Sequence, residues 1–439
     1  MTHNGRVMSP NPARRLFGPL VLLLAIAGAA APAAAQGRSC SALQQNVSVR
    51  NVMTDRYLWY RDVPDVDLTA YASPEAYLDA VRYRPLDGTF SYITSRAAND
   101  AFYSDSQFIG FGFSTSLNGI ELRVTQVFPE SPAQDMGLSR GARIMQINGR
   151  TVADLVRSGE IGSAFGAGEI GVAADVLFER DGVAAHGRMV KRLVTIPTVS
   201  ETRVITIGGR KVGYVFFRNF VGPSREALDR AFAELRAAQV TELVLDLRYN
   251  GGGLITVAQH LASLIGGTRT DGQVFTEYFH NDRNAAWNTV TRFTLPSAAL
   301  TLDRLIVVTT RASASASELI INSLRPFMPV WIIGGRTYGK PVGQYSTPFC
   351  DKVLAAVSFT LRNADGQGDF FDGLEPNCLA ADDVENQLGD PLEASLNEAL
   401  TVIATGQCSP AAAPMPYASP RRGPALPAGT GWQALVGAH

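Results

Sequence analysis

The sequence predicts an α/β protein in three parts: a small N-terminal helical domain, a β-rich module and a larger domain on a partly parallel sheet. Three observations predict it. From about residue 203 to residue 333, apolar strands alternate with amphipathic helical segments, the order that βαβ units produce. Short alternating strands punctuated by glycines fill Phe108 to Arg192. Before them, Ser41 to about Ala101 is helical in pattern. The boundaries drawn from this are 36–104, 105–193 and 194–408, preceded by a leader over 1–35 and followed by a tail over 409–439.

The chain has 439 residues, enough for two or three cores. Lys plus Arg number 39 against 40 for Asp plus Glu, so a net charge of -1 gives no electrostatic case for nucleic acid or an anionic membrane surface. Arg6, Arg14 and Arg15 precede an apolar run from Leu16 to Ala30, and Ala33-Ala34-Ala35 before Gln36 fits a small-residue cleavage site. The run is shorter than the roughly 20 residues needed to cross about 30 Å of hydrocarbon, so a cleaved export signal is expected, with no stable membrane anchor. Arg14-Arg15 leaves both general and twin-arginine export open. The destination is the periplasm or the exterior.

Four cysteines follow the leader: Cys40, Cys350, Cys378 and Cys408. In an oxidising compartment an even count favours disulfides, with three connectivities possible. Cys350–Cys378 and Cys40–Cys408 are expected, the first bracketing one hairpin region. With no CxxC spacing and with histidines scattered, no metal is expected.

In order along the chain, SPEAYLDAVRY offers Ser73 as N-cap, Pro74 at the first helical position and Tyr77, Leu78 and Val81 on one face. RVITIGGRKVGYVFF reads as a hairpin through Gly208-Gly209. SREALDRAFAEL reads as a helix capped by Ser224, with Leu228, Ala231, Phe232 and Leu235 on its apolar face. Then come a strand (Leu243 to Leu247), a glycine turn, a helix (Leu254 to Ile265), a strand (Leu305 to Thr309), a serine-rich turn, a helix to Leu324 and a strand (Val330 to Ile333). The Pro- and Ala-rich tail holds too few large apolar residues for a core and is expected to be disordered.

Three segments carry chemistry. RASASASELI, Arg311 to Ile320, sits on a tight strand-to-helix connection, which can expose one hydroxyl and aim an amide at the same point. Ser315-Ala-Ser-Glu318 also fits a plain capping box. In ELVLDLRYNGGG, Glu242 to Gly253, glycines after an apolar strand let backbone N–H groups approach a bound group, as an anion cradle or half an oxyanion hole; they are equally compatible with a simple turn. Neither phosphate-loop spacing is present, and no cofactor is implied. In GGRTYGKPVGQ, Gly334 to Gln344, Lys340 sits between glycine and proline directly after an apolar strand.

DLRYNGGG, SASASE and TYGKPVGQ, in this order, resemble the signature segments of the carboxyl-terminal processing (tail-specific) serine proteases, peptidase family S41. ESPAQDMGLSRGARIMQINGRTV resembles the second half of a PDZ domain, and Gly110, Phe111, Gly112 and Phe113 resemble its carboxylate-binding loop. The likeness covers about Phe108 to Asp390. It implies a crotonase/ClpP-like βαβ catalytic domain with a PDZ-like and a helical domain. It further implies Ser315 as nucleophile, Lys340 as general base, Gln344 orienting the lysine, and Ala316 with Gly252 or Gly253 as oxyanion donors. The partners implied are proteins or peptides with free apolar C-termini. Where many members read GKG, this chain reads GKP, and Pro341 removes one amide.

A lysine at its ordinary pKa of about 10.4 cannot take a proton from serine at neutral pH, and reaching about 7.5 requires roughly 4 kcal/mol of destabilisation of the ammonium form. Ile320, Ile321, Ile332 and Ile333 are candidates for the dry surroundings. A histidine base, His260 on the helix after the glycine turn, is the competing reading. A catalytically inactive PDZ-containing binding protein of the same fold is the competing function, and the presence of Ser315, Lys340 and Gln344 argues against it.

Overall fold

The structure is a computed structural model that describes residues 40–410; the expected export signal and almost all of the expected tail lie outside these residues. Its centre is a six-stranded sheet in the order 199–207, 210–217, 242–246, 305–309, 330–334, 378–379. The first two strands form the hairpin expected through Gly208-Gly209, and the rest pair in parallel. Alternation along the strands divides the core between two faces. Val215, Phe217, Leu243, Leu245, Leu305 and Val307 pack under the helices Ser224–Ala237, Ile255–Gly266 and Ala316–Leu324. Tyr214, Phe216, Val244, Ile306 and Val308 pack on the other side under Ala394–Thr405. Ser224 opens its helix without capping it: its hydroxyl turns back, accepting from Val221 N and donating to Asn219 O.

A second sheet is organised on the long strand Lys352–Arg362, which pairs with Val342–Phe349 on one edge and with Tyr92–Ser95 and Val274–His280 on the other. The N-terminal helices Ala42–Asp55 and Pro74–Val81 do not close a separate core. Val49, Met53, Tyr77, Leu78 and Val81 share one apolar cluster with Val342, Leu354, Ala356 and Val357. The cap at Ser73 is as expected, its hydroxyl accepting from Ala76 N at 3.2 Å.

The β-rich module has its own core, built on Phe111, Phe113, Val124, Ile144, Val176 and Phe178. Its strands run in the order 113–118, 121–127, 143–147, 173–180, 183–190, all antiparallel, so Phe113–Asn118 is an edge. Phe111 and Phe113 are fully buried in that core, so their side chains are closed to solvent.

The disulfides are Cys40–Cys350 and Cys378–Cys408, not the expected pairing. The reason is topological. Cys350 lies in the two-residue turn that joins Val342–Phe349 to Lys352–Arg362, and the N-terminal helices pack on those strands, which brings Cys40 there. Cys378 lies on the sheet's last strand, against the helix whose end carries Cys408. Among the described residues, no helix is long and apolar enough to cross a membrane.

Candidate active site

The serine turn, the glycine turn and the lysine loop follow neighbouring parallel strands, so all three emerge at the same sheet edge, the C-terminal ends of the strands. Ser315 N-caps helix Ala316–Leu324 with φ 56° and ψ -112°, a left-handed conformation that costs a serine about 1–3 kcal/mol. The surrounding bonds fix it there. Ser313 Oγ donates to Leu247 O at 2.7 Å, Ser317 Oγ donates to Asn250 O at 2.9 Å, and Ala314 N donates to the same oxygen at 3.0 Å. Ser313 and Ser317 are fully buried, whereas Ser315 is half-buried and opens into a cavity of about 340 Å³. Two serines thus staple the turn to the glycine segment and the third is left presented.

Ala316, Gly253, Lys340 and Gln344 line the same cavity. Ala316 is the first helical residue, so its N–H belongs to the first turn, where amides have no intrahelical acceptor. The N–H of Gly252, one of the two expected oxyanion donors, is already taken by Asn250 Oδ1 at 2.9 Å. It is also a close-approach glycine, because a Cβ there would lie 2.8 Å from Ala314 O, Ala316 N and Ser315 Cβ. Gly253 has φ 140°, and a Cβ on it would meet Phe220 O at 2.1 Å.

Glu318 ties the serine turn to the lysine loop. Fully buried, it accepts from Ser315 N at 2.8 Å, Thr337 Oγ1 at 2.5 Å, Gly339 N at 2.6 Å and Lys340 N at 2.9 Å. Burial pushes its carboxyl up while these four bonds pull it down, with a net rise. The capping-box reading foresaw the bond to Ser315 but not the other three. They also account for the GKP sequence, because the amides that Glu318 uses precede Pro341.

Lys340 is buried, and desolvation pushes its amine down to about 8 against the upward pull of Asp87 and Glu318. Phe90 lies under its Nζ, 5.9 Å from the ring centroid. The four isoleucines do not supply its dry surroundings: Ile320, Ile321 and Ile332 pack in the core under the helices and Ile333 in the core on the opposite face. Gln344 makes no hydrogen bond to Lys340; its Nε2 donates to Phe90 O at 2.5 Å, in the segment whose ring lies under the lysine. Asp87 is held by Ser91 N and Tyr57 Oη, both at 2.8 Å. Sequence reasoning missed Asp87 and Phe90, which lie some 250 positions before Lys340 and carry no local signal. His260 stands apart, paired with Asp229 at 2.7 Å between two helices and absent from the cavity wall.

Behind the glycine turn lies a buried charge network. Arg248 meets Asp246 at 2.7 Å and Glu393 at 2.6 Å, and Tyr214 Oη donates to Asp246 at 2.8 Å. Arg218, fully buried, reaches from the sheet to Gln126 Oε1 at 3.0 Å, Ser114 Oγ at 3.1 Å and Tyr249 O. It thereby joins the edge strand of the β-rich module to the residue before Asn250.

Residues 211–379 match Peptidase family S41, and residues 44–92 match the Peptidase S41 N-terminal domain. The carboxy-terminal processing protease CtpB of Bacillus subtilis (strain 168) is 24% identical over 304 residues, 67% of this chain and 60% of the relative. The chloroplastic C-terminal processing peptidase of Tetradesmus obliquus is 27% identical over 258 residues, 55% of this chain and 52% of the relative. This chain therefore spans a little over half the length of these two relatives. A crystal structure of a Bacteroides fragilis chain assigned to the S41 proteases superposes with a TM-score of 0.66 at 26% identity, covering 81% of this chain and 96% of that one. The mixed α/β fold resembles that S41 structure, and residues 211–379 are similar to peptidase family S41, as residues 44–92 are to the N-terminal domain of that family.

Proposed function

We propose that this protein is an exported serine endopeptidase that cuts polypeptides recognised by their C-termini, with Ser315 as nucleophile and Lys340 as general base. One observation carries the reading: a serine held at φ 56° at a helix start shares a cavity with a buried lysine whose amine is lowered to about 8. Near neutral pH a working fraction of that amine is unprotonated, which a lysine in water does not offer. Ser315 Oγ attacks the scissile carbonyl as Lys340 Nζ takes its proton. The proton then passes to the leaving amine, and water releases the acyl group by the same route in reverse. The N–H groups of Ala316 and Gly253 are suited to meet the oxyanion. Gln344 and Glu318 are positioning residues.

C-terminal recognition falls to the β-rich module, read as PDZ-like. Phe111 O accepts from Ala133 N at 2.9 Å and Gly112 O from Phe128 N at 2.8 Å. Because each peptide is planar and trans, the N–H groups of Gly112 and Phe113 face the opposite way, as a carboxylate cradle needs. The adjoining edge strand Phe113–Asn118 can accept an added strand. Two disulfides that use all four cysteines support an oxidising compartment.

The test is cleavage of an unfolded protein with an apolar C-terminus by the mature chain, beside Ser315→Ala and Lys340→Ala, over a range of pH. Loss in both variants is expected. Full activity in either would remove that residue from the mechanism, and an inert wild type would favour a binding protein.

A further inference from the structure

The cavity mouth carries an aromatic surface that the Ser–Lys chemistry does not use. Tyr345, directly after Gln344, lines the cavity and is 38% exposed. Trp287, at the end of the short helix Asp282–Trp287, is 43% exposed and meets Tyr345 edge-on, 6.1 Å between centroids. His280 fixes the pair. Its ring is parallel to that of Tyr345 within 2°, its Nε2 lies 3.0 Å from Tyr345 Oη, and its Nδ1 lies 3.1 Å from Asn288 Oδ1, which also accepts the His280 backbone N–H at 2.8 Å. An amide oxygen only accepts, so Nδ1 carries the proton and Nε2 accepts the tyrosine O–H in the neutral ring. Arg56 covers part of Trp287, 5.5 Å from the ring. The remainder is a rigid aromatic shelf facing solvent, the kind of surface that anchors a ligand at low entropic cost.

A second observation concerns the backbone beside it. Strand Val342–Phe349 pairs with Lys352–Arg362 on one edge and with no other strand among the described residues. Val357, opposite Gln344, gives its N–H to Ser91 Oγ at 3.0 Å and its carbonyl to Leu58 N at 2.8 Å, both on the far side. Gln344 and Val357 are therefore a non-hydrogen-bonded pair, and the backbone groups of Gln344 and, two residues on, Ser346 point outward along the open edge. Both residues line the cavity, whose single charged lining side chain is Lys340.

We propose that Tyr345 and Trp287 form a substrate subsite: an extended polypeptide pairs with the outer edge of Val342–Phe349 and lays a large apolar or aromatic side chain on the shelf. The occupant is a chain segment a few residues from the bond to be cut. The subsite rests on the Ser315–Lys340 reading for cleavage but not for binding, and the test separates the two.

Labelled peptides in which a single phenylalanine is walked along an otherwise small-residue sequence are bound to the Ser315→Ala protein and followed by fluorescence anisotropy. One position is expected to tighten binding about tenfold. Trp287→Ala and Tyr345→Ala, each made in that background, abolish the preference, and Tyr345→Phe, which keeps the ring, retains it. Both shelf residues are exposed, so circular dichroism is expected to match the parent. No preferred position, or a preference that survives both alanine variants, overturns the subsite. If the wild type cuts none of the peptides while the shelf-dependent preference persists, the subsite stands and the Ser–Lys reading falls. If the wild type cuts them all with no dependence on the shelf, the subsite falls alone.

Discussion

Replacing Lys340 by methionine is expected to abolish cleavage and at the same time to stabilise the folded protein at neutral pH. Methionine keeps the buried stem and stands for the uncharged amine. The folded amine is lowered to about 8 by burial, while the unfolded chain holds the ordinary value near 10.4. A base with a depressed folded pKa binds fewer protons folded than unfolded, so stability rises with pH between the two values. The penalty is complete below the folded pKa and gone above the unfolded one. At about 1.4 kcal/mol per pKa unit, it amounts to about 3 kcal/mol at neutral pH and to less than about 1 kcal/mol near pH 10. The assay is urea unfolding of Ser315→Ala and of Ser315→Ala/Lys340→Met at a series of pH values, the serine change preventing self-digestion. The methionine variant should be more stable by about 2–3 kcal/mol near pH 7, with the difference closing toward pH 10. A difference that stays flat across that window would mean the lysine titrates as in water, and its role as base would go with it.

Glu318→Gln replaces an acceptor of four hydrogen bonds by an amide that turns two of its protons toward donors, so kcat should fall at least about 100-fold, with a loss of roughly 1–3 kcal/mol in unfolding measurements. Gly253→Ala drives a methyl group into Phe220 O and should lower kcat by about two to three orders of magnitude while the peptide binding proposed for the β-rich module is unchanged; equal loss of both would point to misfolding. Peptide mapping without reduction should recover Cys40 linked to Cys350 and Cys378 linked to Cys408, and any other pairing would refute this topology. On chain entropy, removing the second link costs about 4 kcal/mol and removing the first, with its far longer loop, about 6 kcal/mol, so thermal unfolding should rank the two losses in that order.

The legible parts of this molecule are those in which neighbours in sequence are neighbours in space. The strand Leu305–Thr309 has the bounds that its run of β-branched residues predicts, and the serine turn, glycine turn and lysine loop each follow an apolar strand whose burial is written in its composition. Parallel pairing of adjacent strands then brings their C-terminal ends together without further information, which is why Ser315, Gly253 and Lys340 can be grouped from spacing and resemblance. What tunes those residues is not legible. Asp87 and Phe90 act on Lys340 only because the N-terminal helices surrender their apolar faces to Val342, Leu354 and Val357, a long-range packing choice with no periodic trace. The same choice carries Cys40 to Cys350, against the pairing that sequence proximity suggests.

Gln344 illustrates the physical limit most sharply. Its place in the lysine loop suggests a direct partner for Nζ, yet its amide donates its hydrogen bond to Phe90 O, and Phe90 is what lies beneath the amine. A depressed lysine pKa needs dryness more than it needs a hydrogen bond, because a bond accepted from the ammonium would favour the charged form. A glutamine that anchors the apolar wall therefore keeps the amine uncharged better than one that touches it. The same logic separates two outcomes for Gln344→Ala: loosening the wall should rehydrate Lys340 and move the basic limb of the pH–rate profile upward, whereas loss of a direct contact would lower the rate without moving it.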